Sequence, residues 1–72
     1  MTNTELLKEK ISQSGLKAGF IAKNVGISRA SLWNKVNNSR AFTVPEMEKL
    51  CAVLKIKSPR ERDAIFFSRT VE

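Results

Sequence analysis

Apolar positions recur at helical spacing in five short segments of this chain, each set off by a start or stop signal. From about Thr4 to Ser14, Leu6, Leu7 and Ile11 share a face, and Thr2 with Glu5 three residues on has the form of a capping box. Gly15 stops that segment. A second, about Ala18 to Val25, carries Phe20, Ile21 and Val25 and closes at Gly26, which tolerates the positive φ of a tight exit. Ser28 is a good N-cap for a third, about Arg29 to Val36, whose inward face is set by Leu32 and Val36. Asn37-Asn38-Ser39 closes it as a loop, with Asn38 the best non-glycine candidate for a left-handed residue. Thr43-Val44-Pro45-Glu46 is another capping box with proline in the first turn, and Met47, Leu50, Cys51 and Leu54 mark a fourth helix. Ser58-Pro59-Arg60-Glu61 repeats the device and opens a fifth, about Pro59 to Ser68, with Ile65 and Phe66 inward. The pattern predicts an all-α fold of five short helices in one domain over residues 1–72. Its expected core is Leu7, Ile11, Ile21, Val25, Leu32, Val36, Leu50, Cys51, Leu54 and Ile65.

Length and composition narrow the functions such a bundle can serve. A chain of 72 residues buries only about 60% of the surface its unfolded form exposes, enough for one core but not for a second lobe and an enzyme cleft. There is no histidine or tyrosine, and the lone Cys51 lies in an apolar-periodic stretch, which excludes metal sites built on His or paired Cys. No cofactor and no small-molecule substrate are expected. One cysteine makes no internal disulfide, so a reduced cytoplasm is the expected home. The start is polar and acidic where a signal peptide would be basic and then apolar, and no run approaches the ~20 apolar residues of a membrane span.

Charge changes the picture more. Lys and Arg number 13 against 7 Asp and Glu, and the stretch from Lys10 to Pro45 holds no carboxylate at all. Its six bases are Lys10, Lys17, Lys23, Arg29, Lys35 and Arg40; the other bases are matched one for one by acids, so the whole net +6 lies mid-chain. A charge block confined to one part of a small domain reads as the footprint of a polyanion, most often nucleic acid. The plainer alternative is a solvated basic surface.

The local pattern favours the former. Two short helices joined by a tight turn at Gly26, the second capped by Ser28, form over about 17–37 the pattern of a DNA-binding helix-turn-helix. Ile21-Ala22-Lys23-Asn24-Val25-Gly26-Ile27-Ser28-Arg29-Ala30-Ser31-Leu32 resembles the motif of the Cro and phage-repressor family, with Asn37-Asn38 where the family usually has Asn-Gly. The similarity runs from about Leu6 to Phe67, and Ala41-Phe42-Thr43 with Ala64-Ile65-Phe66-Phe67 looks most like small regulators of temperate phages of Gram-positive bacteria. The resemblance implies a lambda-repressor-like fold, double-stranded operator DNA as partner, a homodimer, and a third helix inserted in the major groove.

Turning that helix at 100° per residue with Leu32 and Val36 inward leaves Ala30, Trp33, Asn34 and Asn37 outward and Arg29 projecting from the first turn. Arg bonds bidentately to guanine, Asn to adenine, and an Ala methyl touches thymine, so Arg29, Ala30 and Asn34 are the expected base contacts. Lys17, Lys23, Lys35, Asn37, Ser39 and Arg40 are the expected phosphate contacts.

Two departures from the family pattern keep a second function open. The family usually begins its second helix with Ser or Thr followed by Gln, where this chain has Lys17 and Ala18; neither caps the helix, and Gly19 weakens its first turn. Trp33 is a large aromatic on the outward side of the third helix, either folded back over Phe42 or outward as a protein anchor. An antirepressor that keeps the fold but grips a phage repressor protein would use Trp33, Ala18, Phe20 and Phe67. Phe66, Phe67 and Val71 are also too many apolar groups for one side of a short terminal helix, so either one of them belongs to a dimer or partner contact or the tail folds onto the first helix. Catalysis is the remote reading: hydroxyls and Lys17 are present, but no His base and no Gly-rich phosphate loop.

Overall fold

A computed structural model describes residues 2–67. They form five helices, α1 (Thr4–Ser14), α2 (Ala18–Val25), α3 (Arg29–Val36), α4 (Val44–Val53) and α5 (Pro59–Phe66), and no strand is present among the described residues. α2 packs against both α3 and α4, while α1 touches α3 and α5. The radius of gyration, 11.2 Å, is what a compact chain of this length gives.

Every helix contributes at least one side chain to a single core. Leu7 of α1, Ile21 of α2, Leu32 and Val36 of α3, Leu50 of α4 and Ile65 of α5 are fully buried. Phe42, in the loop between α3 and α4, is buried as well and meets Phe66 edge to face at 5.5 Å between centroids, the arrangement that sets one ring's positive edge on the other's negative face. Cys51 is a buried free thiol, and burial pushes its pKa up.

The expected starts and stops hold at α2, α3 and α4, as do the stop of α1 at Gly15 and the Ser58 cap of α5; the cap of α1 and the capping box of α5 are corrected. Ser28 accepts from the Ser31 amide, and Thr43 and Glu46 form the reciprocal capping box of α4. α1 is capped not by Thr2 but by Asn3, whose side chain accepts from the Leu6 amide at 3.1 Å. Thr2 is buried and bonded elsewhere: its N–H donates to the Asn38 carboxamide at 3.0 Å, and the Asn38 amide donates back to the Thr2 carbonyl at 2.8 Å. Ser58 caps α5 as expected, but Glu61 turns its carboxylate to Lys10 instead of completing the box. α5 ends at Phe66; the expected extension to Ser68, like Val71, lies outside the described residues. Leu54 is only half-buried, and Ile56 takes the inward place because Lys55, at φ 58°, turns the chain back over the end of α4.

Candidate nucleic-acid interface

The candidate surface is built on α2, α3 and the turn between them. Gly26 leaves α2 at φ 88°, its amide donating to Ala22 and Lys23 carbonyls, and the Ile27 amide returns to Ala22 at 3.0 Å. That pair of returns is the Schellman closure, which satisfies carbonyls the helix end would otherwise leave bare. The chain then re-enters a helix at Ser28 within two residues, so α3 is held against α2 with Leu32 and Val36 inward.

α3 therefore shows solvent the opposite face. Arg29, Ala30 and Asn34, the expected base contacts, are all exposed on it. Loop closure adds two neighbours: Ser39 and Arg40 donate their amides to the Asn34 carbonyl at 2.8 and 3.3 Å, which brings both residues alongside the last turn of α3. Asn37 is exposed and donates its side-chain amide to the Trp33 carbonyl, leaving its own carbonyl oxygen available as an acceptor.

The six mid-chain bases divide into two kinds. Lys10 is paired with Glu61 at 2.7 Å, and Lys35 with Glu46. Lys17, Lys23, Arg29 and Arg40 are exposed and have no acidic partner among the described residues. Those four all belong to α2, α3 or their flanks. Lys35, expected at a phosphate, is instead largely buried: its side chain is 13% exposed and that of Glu46 15%. Glu46 also receives the Thr43 N–H at 2.9 Å. The Lys35 ammonium, with that amide second, holds the Glu46 carboxyl below the usual carboxylate range.

Residues expected for a protein partner are not gathered in one place. Trp33, for which either a place folded over Phe42 or an outward one was open, is half-buried and leans on the core, and Phe42 has Phe66 as its edge-to-face partner. Ala18 is also half-buried, whereas Phe20 on α2 is 52% exposed. Phe67 lies with Val44 and Met47 in a hollow that neither Trp33 nor Phe20 lines. The start of α2 is uncapped by any side chain, as Lys17 and Ala18 implied.

Sequence reasoning missed both interhelical ion pairs. Lys10 and Glu61 are 51 positions apart and Lys35 and Glu46 are 11 apart, too far for any helical i,i+4 rule to flag them. Comparison with protein-family models, with curated proteins and with solved structures gives no match.

Proposed function

We propose that this chain is a DNA-binding regulator of the Cro and phage-repressor helix-turn-helix type, docking α3 in the major groove of an operator. The observation that carries the reading is a basic surface without acids: Lys17, Lys23, Arg29 and Arg40, exposed and without an ion-pair partner among the described residues, lie on α2, α3 and their flanks, a stretch that contains no carboxylate. In this reading Arg29, Ala30 and Asn34 read base edges. Lys17, Lys23, Asn37, Ser39 and Arg40 position the backbone. The uncapped start of α2 fits the same role, since first-turn N–H groups without a side-chain acceptor, beside the Lys17 ammonium, attract a phosphate.

Fluorescence anisotropy against DNA flanking the reading frame, with random duplex as control, tests it. Phosphates neutralised by Lys17, Lys23 and Arg40 give a log–log salt slope of about −3 per chain. Lys23→Ala and Arg40→Ala flatten that slope on both duplexes, whereas Arg29→Ala and Asn34→Ala remove the preference for one of them. No binding at low salt ends the DNA reading.

A second reading, an antirepressor that binds a repressor protein, is favoured by Phe20 alone. An aromatic this exposed beside an uncapped helix start is a better protein anchor than phosphate ligand. Phe20→Ala separates the two functions: it leaves DNA affinity unchanged in the first and abolishes most of the partner affinity in the second, with folding intact in both.

A further inference from the structure

The acids that offset the bases outside the mid-chain block do not lie beside them in the fold. Glu46 is taken by Lys35, Glu61 by Lys10, and Asp63 meets its neighbour Arg62. Residues 49–60 hold Lys49, Lys55, Lys57 and Arg60 and no carboxylate, and these bases are all exposed without an ion-pair partner among the described residues. Glu48 is next to Lys49 in sequence but borders a hollow with Val44 and Arg62, whereas Lys49 borders another with Asn24, Ala52 and Val53. A second basic surface without acids therefore runs from the latter half of α4 through the loop into the first turn of α5.

Its place separates it from α3. Near its start α4 meets the end of α3 through Glu46 and Lys35, but it packs along α2. Its 10 residues carry the chain about 15 Å onward before Lys55, Lys57 and Arg60 follow. The chemistry of the surface indicates its occupant. Protein contacts centre on a buried aromatic or aliphatic anchor, and no large apolar side chain is exposed between Lys49 and Arg60. Exposed cations with a hydroxyl at Ser58 and no anchor suit a nucleic-acid backbone, where phosphates are neutralised and no sequence is read.

We propose that Lys49, Lys55, Lys57 and Arg60 hold the backbone of a second duplex, so that one chain bridges two DNA segments. One segment sits on α3 and the other on the junction of α4 and α5. The bridging rests on the docking of α3 proposed above; the second contact does not.

A sandwich capture tests the proposal, with a duplex from the DNA flanking the reading frame fixed on beads and a fluorescent random duplex in solution. The wild-type chain retains the fluorescent duplex. Lys57→Glu combined with Arg60→Glu lowers that retention about tenfold or more, since two phosphate contacts become repulsive. Thermal melting holds, because both side chains are exposed and unbonded. Anisotropy on the flanking duplex alone changes by less than about twofold at 0.1 M salt, where a Debye length of about 10 Å shields α3 from the reversal. Retention indifferent to the reversal, as in a dimer that bridges through two copies of α3, overturns the proposal. Polyglutamate that competes as strongly as random duplex also overturns it, by assigning the surface to an acidic polypeptide. Failure of α3 docking reads differently: the chain shows no preference for the flanking duplex and the reversal abolishes all its DNA binding, which upholds the second contact alone. A chain that binds no duplex overturns both.

Discussion

A left-handed backbone stands at the exit of four helices: Gly15 after α1, Gly26 after α2, Asn38 after α3 and Lys55 after α4. The four residues meet that demand differently. Gly26 has no Cβ to strain, and a methyl added there meets nothing within 4 Å. Gly26→Ala is therefore expected to cost about 1 kcal/mol, from the positive φ alone and with no collision. Lys55 occupies the same conformation without glycine's freedom, in a closure where Lys55 and Ile56 amides return to Ala52 and Cys51 at 3.2 and 2.8 Å. Lys55→Gly relieves that strain and is expected to raise stability by up to about 1 kcal/mol. Chemical denaturation of the two variants checks both signs, and a destabilised Lys55→Gly would show that its side chain holds the turn. The contrast also explains what was readable beforehand. Glycine and asparagine announce a left-handed turn, whereas lysine announces nothing, so the place of Ile56 in the core went unseen. At the start of α1 the capping box expected at Thr2 gives way to Asn3, because Thr2 is held by Asn38, 36 positions away.

Among elements, α3 and α4 share a polar contact besides the common core. Glu46 closes the capping box of its own helix and also accepts from Lys35 near the end of α3. Both interactions favour the ionised carboxylate, which is why its pKa in the folded chain is lowered from 4.5. A carboxyl group with a depressed folded pKa contributes stability that is complete above the unfolded value and disappears as pH falls through the folded one. Stability should thus decline on acidification below about pH 4.5, and Glu46→Gln should flatten that part of the profile while lowering stability at neutral pH. Lys35→Ala is expected to cost about 1–3 kcal/mol, because it strands a mostly buried acid. Urea midpoints from pH 3 to 7 for the three proteins check this, and an unchanged profile for Glu46→Gln would assign the acid sensitivity to another carboxylate. The reading of Lys35 as a phosphate ligand rested on its helical angle, which does place it on the flank of α3. Helical angle carries no information about which neighbouring helix arrives at that flank, and α4 brings Glu46 to it.

For the whole molecule, the periodicity was legible because each helix sends its fully buried residues to the same centre: Leu7, Ile21, Leu32, Val36, Leu50 and Ile65. Periodicity of single helices does not report how they are arranged, so the half-exposure of Phe20 and Phe67 and the half-burial of Trp33 emerged only with the fold. One shared core in a chain of this size also means that no helix has a private source of stability. A domain of about 70 residues holds only about 4–11 kcal/mol in total, and cutting a fully buried leucine to alanine removes about 2–5 kcal/mol of it. Leu50→Ala is therefore expected to lower the melting temperature by well over ten degrees and to weaken all five helices together. Trp33, the only tryptophan, leans on this core from α3 and reports on tertiary packing, while far-ultraviolet circular dichroism reports on every helix. In wild type and Leu50→Ala alike the two signals should fall at one midpoint, the behaviour of a two-state domain. A Trp33 transition preceding the loss of helix would instead mean that α3 leaves the core while other helices persist, and that the surface carrying Arg29 and Asn34 is separately mobile.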